Sequence, residues 1–194
     1  MASKSTLDYP IVELDSPSRW RNWLELNHAK VAGVWLKLYK KTSGKVTLTH
    51  TQALDEALCF GWIDGLGKKL DDQAWLLKFT PRRPKSVWSK RNKEHITRLT
   101  KAGKMHESGL NEVKKAKNDG RWEQAYDSPS TMQMPQDFLD ALKTDPIAET
   151  FFKTLNKTNL YAIGWRLQTA RKPETREKRK KAIIEMLHQN KKFH

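Results

Sequence analysis

Every segment with a strand-like residue pattern lies before Pro84, and this restriction limits the possible folds more than any other feature of the sequence. The segment "GVWLKLYKK" alternates apolar and polar residues with period two, whereas apolar residues after Ser89 recur every three or four positions. The first period places side chains on alternate faces of a strand, and the second places them on one stripe of a helix. The sequence therefore predicts an α+β fold, with a small antiparallel sheet and helices in the N-terminal half and an all-helical C-terminal half.

Local signals refine this prediction. "DSPSRWRNWLELNHAK" and "THTQALDEALCFGW" favour amphipathic helices, the second capped by Thr49 or Thr51. "WIDGLGKKL" and "DQAWLLKFTPRR" are rich in β-formers and predict an antiparallel hairpin. Ser89 is expected to cap the next helix, and glycines are expected to end it and its successor. The C-terminal helices are expected to begin at Pro135, Pro146 and Pro173.

One linker candidate divides the chain. "SPSTMQMP" contains proline and serine and no large aliphatic residue apart from methionine. We therefore expect an α+β domain over 1–127 that carries an aromatic and basic cleft, and a helical region over 128–194 that ends in a basic helix.

Charge and cysteine content narrow the function. The formal net charge of +15 attracts nucleic acid, anionic metabolites or acidic lipid surfaces. The single cysteine, Cys59, has apolar neighbours that favour a buried side chain with a raised pKa. No apolar run is long enough for a signal peptide or a membrane span, so we expect a cytoplasmic protein without a membrane span.

The run "FTPRRPKSVWSKRN" is the first candidate site. Two prolines hold the backbone extended around Arg82 and Arg83, whose guanidinium groups suit bidentate contact with phosphate or carboxylate. Lys85 adds a cation, and a helix beginning at Ser89 would add free N–H groups. Trp88 and Asn92 would supply a wall and a hydrogen bond. The structural alternative is that the arginines are solvated or paired with Asp64, Asp71 or Asp72 and that Trp88 packs between the sheet and a helix.

The segment "GWIDG" is the second candidate. Gly61 and Gly65 leave room on both sides of Trp62 and Asp64. Asp64 could orient a ligand hydroxyl or act as a general base, with Trp62 as an aromatic wall. The alternative assigns Asp64 to a turn or cap and Trp62 to the core.

Established enzyme motifs are absent from the sequence. It has no phosphate-binding P-loop, dinucleotide fingerprint, H-E-x-x-H or G-x-S-x-G motif, and its six histidines form no i,i+4 pair. We therefore expect no metal and no cofactor, and the missing motifs favour a binding protein over an enzyme.

Four segments resemble a known family. They are "ALCFGWIDG", "FTPRRPKSVWSKRN", "GKMHESGLNEVKKAKNDGRWEQAY" and "ARKPETREKRKKAI". Together they are similar to the bacterial bacteriocin-protection family, also called YdeI or OmpD-associated, from about Trp20 to about Leu187. The resemblance implies a role in protection against bacteriocins or envelope stress, and it brings no established reaction, cofactor or catalytic set.

Three functional hypotheses follow. The first is a small anionic or phosphorylated ligand held in an Arg/Trp cleft. The second is a nucleic-acid partner, contacted by the aromatic residues and the basic C-terminal helix. The third is a hydrolase or transferase that acts on a phosphorylated compound with Asp64 as base.

Overall fold

The computed structural model describes residues 8–194, and their contacts divide them into two compact units. Residues 8–86 and 94–119 belong to the first unit, and residues 87–93 and 120–194 belong to the second. The prediction that the chain has no signal peptide concerns in part residues 1–7, which lie outside the described residues. The predicted division after residue 127 stays a prediction.

The first unit combines a sheet with helices. Its elements are β1 (Ile11–Glu13), α1 (Pro17–Asn27), β2 (Val34–Tyr39), α2 (His50–Cys59), β3 (Trp62–Lys69), β4 (Ala74–Pro81), α3 (Lys90–Lys101) and α4 (Glu107–Asn118). The first turn of α3 belongs to the second unit.

The sheet is four-stranded with the order β1-β2-β4-β3. β3 and β4 form the predicted antiparallel hairpin, and β2 pairs antiparallel with β4. β1 was not predicted, because its three residues are too few to show a period, and it pairs with β2 in parallel. The register of the β3–β4 pairing shifts between Asp64 and Gly67, next to one predicted site residue.

The core of this unit lies between the sheet and its helices. Trp20 on α1 is fully buried, its ring lies 5.5 Å from that of Phe79 on β4, and its indole N–H donates to the Ala53 carbonyl at 3.0 Å. Leu24 follows one helical turn later and is also fully buried. The apolar stripe predicted for α1 is thus the face that meets the sheet.

The predicted helix boundaries are confirmed at several positions. Thr49, not Thr51, caps α2, and it forms a reciprocal capping box with Gln52. Gly103 and Gly120 follow α3 and α4 with φ of 66° and 75°, the left-handed conformation that commonly ends a helix. These signals identify the helices because each satisfies backbone groups that a helix end leaves unpaired.

The second unit is helical, as predicted. Its elements after the first turn of α3 are α5 (Gln136–Leu142), α6 (Pro146–Phe152), α7 (Lys157–Gln168) and α8 (Pro173–His188). Their buried side chains form one apolar cluster of Phe138, Leu142, Ala148, Ile163, Leu167, Ile183 and Leu187. The α+β class with a helical C-terminal half is therefore confirmed.

Within residues 8–194, none of the helices combines the length and the apolar character needed to cross a membrane.

Candidate functional site

The eight predicted site residues fall in both units. The first unit holds Trp62, Asp64, Arg82, Arg83 and Lys85, and the second holds Trp88, Ser89 and Asn92.

A tight turn after β4 presents two of the predicted cations. The Ser86 N–H donates to the Arg83 carbonyl at 3.0 Å, Pro84 occupies the second position, and Lys85 has a φ of 68°. These are the features of a type II turn, whose third position favours glycine or asparagine. We call residues 83–86 the basic turn.

The cations of the basic turn are available to a ligand. Arg83 and Lys85 are exposed, and neither side chain makes a hydrogen bond or ion pair with another residue of 8–194. The carboxylates proposed as their structural partners are engaged elsewhere: Asp64 with His50, Asp71 with the N–H groups of Gln73 and Ala74, and Asp72 with Lys69.

Arg82 and Trp62, by contrast, are buried. Arg82 is 6 % exposed, and its backbone N–H donates to the Gly61 carbonyl at 2.9 Å. Trp62 is 1 % exposed, its ring contacts that of Trp23 edge-on, and its indole N–H donates to the His28 carbonyl at 3.1 Å. The Trp62 ring thus packs in the core, as in the structural alternative.

Asp64 has a partner that the sequence did not indicate. His50 Nε2 lies 2.8 Å from Asp64 Oδ2, and both side chains are partly exposed. His50 opens α2 and Asp64 lies on β3, so only the packing of helix on sheet brings them together. A carboxylate can orient an imidazole for proton transfer. The hypothesis of a hydrolase or transferase with Asp64 as base stays a prediction.

The second-unit residues support the start of α3. Ser89 Oγ accepts the Asn92 N–H at 3.0 Å, which confirms Ser89 as the helix cap. Ser89 also forms an isolated parallel bridge with Tyr126. Trp88 is 1 % exposed and its ring lies 5.0 Å from that of Trp122.

A cavity of about 340 Å³ lies in the second unit. We call it the polar cavity, and it is lined by Lys90, Glu123, Gln124, Ala125, Asp127, Gln168, Ala170 and Arg171. No sequence pattern indicates this cavity, because its walls come from three segments far apart in the chain.

Asp127 anchors one wall of the polar cavity. Lys90 Nζ lies 2.6 Å from Oδ1, and the Gln168 side-chain amide donates to Oδ2 at 2.8 Å and accepts the Asp127 N–H at 2.9 Å. Burial opposes ionisation of Asp127, but these partners outweigh it and hold its pKa below the ordinary value. Asp127 is therefore a fixed negative charge in this wall.

Cys59 does not offer a nucleophile. It is fully buried on α2, and burial raises its pKa to about 11, which confirms the expected direction.

Comparison with known families gives two matches. Residues 12–112 match a domain of unknown function, DUF8412, and residues 131–190 match the model described as "Bacteriocin-protection, YdeI or OmpD-Associated". Searches of curated proteins and of solved structures give no match.

The fold and the two matches define the class of this protein. It is an α+β protein with a sheet-containing unit and a helical unit, and the second match lies wholly within the helical unit. The first match spans more than half of the chain, so the chain belongs to the DUF8412 family. The second match confirms, over residues 131–190, the resemblance to the bacteriocin-protection, YdeI or OmpD-associated family.

Proposed function

We propose that this protein binds a small anionic ligand at the basic turn. The observation that carries the proposal is Lys85, which has a φ of 68° at a turn position that favours glycine. A non-glycine residue held in this region costs about 1–3 kcal/mol, and such residues cluster at ligand-binding and active sites. The exposed ammonium group of Lys85 supplies a reason for a lysine to occupy this position.

Arg83 extends the same surface. Its guanidinium group is exposed and has no ion pair within residues 8–194. A guanidinium fork binds two oxygens of a phosphate or carboxylate at once, whereas an ammonium acts as a point charge. Two such cations on one short turn favour a phosphorylated ligand, and the net charge of +15 attracts anions to the whole molecule.

The family supplies the biological setting of the proposal. Residues 131–190 are similar to a family described by bacteriocin protection. Anion binding at the basic turn would serve that protection, or a related stress response, without a chemical reaction.

Titration of the whole chain with orthophosphate, pyrophosphate and AMP tests the proposal. Arg83→Gln/Lys85→Asn removes both cations, and asparagine tolerates the left-handed conformation at position 85. We expect the double variant to bind at least one of these anions about tenfold or more weakly than wild type, since each charge-assisted hydrogen bond contributes about 1.5–3 kcal/mol. Isothermal titration calorimetry at low and physiological salt would measure this.

Lys30→Gln/Lys114→Gln is the matched control. Both lysines are exposed in the first unit and have no side-chain partner within residues 8–194. The control therefore removes two unpaired positive charges, as the basic-turn variant does. Equal anion affinity in the basic-turn variant and in wild type would refute the proposal.

Nucleic-acid binding is the second candidate function. It is favoured by exposed cations along α8 that have no side-chain partner within residues 8–194, namely Lys172 at its cap, Lys178 and Lys181. Fluorescence anisotropy with a labelled oligothymidylate would give an affinity that falls with the logarithm of salt concentration, with a slope of about −0.7 per phosphate neutralised. Absence of binding at 50 mM salt, or a flat salt dependence, would exclude this candidate.

A further inference from the structure

We infer that the polar cavity binds a small zwitterion, a molecule with one ammonium and one carboxylate group such as a free α-amino acid. This site lies within the second unit and shares no residue with the basic turn, so it is independent of the proposed anion binding.

The carboxylate of the ligand would face the two cations of the cavity. Arg171 is exposed and makes no hydrogen bond or ion pair with the rest of residues 8–194. Lys90 contacts Asp127, but its side chain is 61 % exposed and an ammonium has three N–H donors. Both cations therefore retain donors for a ligand oxygen.

The ammonium of the ligand would face the two carboxylates. Glu123 is exposed and has no side-chain partner within residues 8–194. Asp127 is 8 % exposed and its position is fixed by Gln168. Each carboxylate oxygen accepts more than one hydrogen bond, so Asp127 can accept an ammonium N–H in addition to its present partners.

The composition of the cavity disfavours a purely anionic ligand. Two cations and two carboxylates line it, so their formal charges cancel, and a ligand with both charges satisfies both pairs. The volume of about 340 Å³ lies near the small end of the range for ligand sites, about 300–1,000 Å³. This size suits a molecule of amino-acid dimensions.

Titration of the ¹⁵N-labelled full chain tests the inference. The probes are L-alanine and L-glutamine, with alaninamide carrying only the ammonium group and N-acetylalanine carrying only the carboxylate. We expect the amino acids to shift the side-chain resonances of Arg171 and Gln168, and each single-charge analogue to bind at least about tenfold more weakly, because it lacks one charge-assisted contact.

Two variants assign the contacts. Arg171→Gln should weaken alanine binding about tenfold or more while leaving alaninamide unaffected, and Glu123→Gln should leave N-acetylalanine unaffected. Lys172→Gln and Glu174→Gln are matched controls, because both residues are exposed and neither lines the cavity. The inference fails if neither amino acid causes a shift, if N-acetylalanine binds as well as alanine, or if the cavity variants behave like their controls.

Discussion

At position 85 the backbone conformation favours glycine, whereas the proposed binding role requires a positively charged side chain. Glycine adopts a φ of 68° without the steric penalty of a Cβ atom, whereas lysine supplies the charge. We expect Lys85→Gly to unfold at an equal or higher urea concentration than wild type while losing affinity for phosphate or pyrophosphate.

Lys30→Gly serves as the comparison for this prediction. Lys30 is exposed and is not among the described residues with positive φ, so glycine there should only add flexibility to the unfolded chain and lower stability by about 0.5–1 kcal/mol. A Lys85→Gly protein that is clearly less stable than wild type would show that the turn does not strain this residue.

Gly109 on α4 lies in close contact with the end of α2. A Cβ atom added there would lie 2.2 Å from the Cys59 carbonyl oxygen, so α4 and α2 would have to separate. We expect Gly109→Ala to lower the free energy of unfolding by about 1–3 kcal/mol, the usual cost of overpacking. Urea unfolding would measure this, with Asn111→Ala on the exposed face of α4 as a control that changes little.

At the scale of elements, the capping box fixes the start of α2. The Gln52 N–H donates to Thr49 Oγ1 at 3.2 Å, and the Thr49 N–H donates to Gln52 Oε1 at 2.9 Å. We expect Thr49→Ala to cost about 1 kcal/mol, because it leaves an N–H of the first turn without its side-chain acceptor. Thr51→Ala should have a smaller effect in the same denaturation experiment, and equal losses would contradict the assignment of the cap.

An ion pair joins the first and last helices of the helical unit. Arg176 on α8 donates to both carboxylate oxygens of Asp137 on α5, at 2.6 and 3.3 Å. This contact outweighs the opposing effect of burial and lowers the pKa of Asp137 below its ordinary value. Because the folded-state pKa is depressed, the stabilisation is present above the unfolded value of about 3.9 and is lost as pH falls through the folded value.

The prediction concerns Asp137→Asn. The variant should be less stable than wild type at pH 7, by less than about 1 kcal/mol because the pair is half-exposed, and the difference should disappear in acid. Melting temperatures between pH 7 and pH 2 would show this. Asp140→Asn controls for the lost charge, since its partners are Gln136 and Lys143, close to it in sequence. A difference that persists at pH 2 would contradict the linkage.

At the scale of the whole molecule, the boundary predicted after residue 127 stays a prediction, and the contacts of residues 120–127 suggest a test of it. Residues 120–127 belong with the helical unit and include the buried Arg121, Ala125 and Asp127. Tyr126 also packs edge-on against Trp165, with ring centroids 6.2 Å apart. We expect a fragment spanning 120–194 to melt at a higher temperature than one spanning 128–194, as followed by circular dichroism. Equal melting temperatures would favour the boundary after residue 127.

Much of the fold was predictable because its signals are local. The hairpin, the cap at Ser89 and the prolines at the starts of the C-terminal helices each depend on residues within one turn or strand. β1 escaped prediction because three residues carry no period, and the placement of β2 beside β4 depends on pairings far apart in sequence.

The site was predictable only in part, because some of its contacts join residues that are far apart in the sequence. The run that contains Arg83 and Lys85 is evident in the sequence, but the pairing of Asp64 with His50 is not. The polar cavity joins Asp127 to a glutamine 41 residues away, and no pattern in either segment indicates the other.

The sequence by itself determined the class of fold, the positions of the caps and turns, the basic run and the family resemblance, because each arises from residues close together in the chain. Only the tertiary structure decided that Trp62 is buried and that Lys90, Asp127 and Arg171 line one cavity. These features require distant segments to pack together, and packing depends on the shapes and distances of whole elements rather than on any local period.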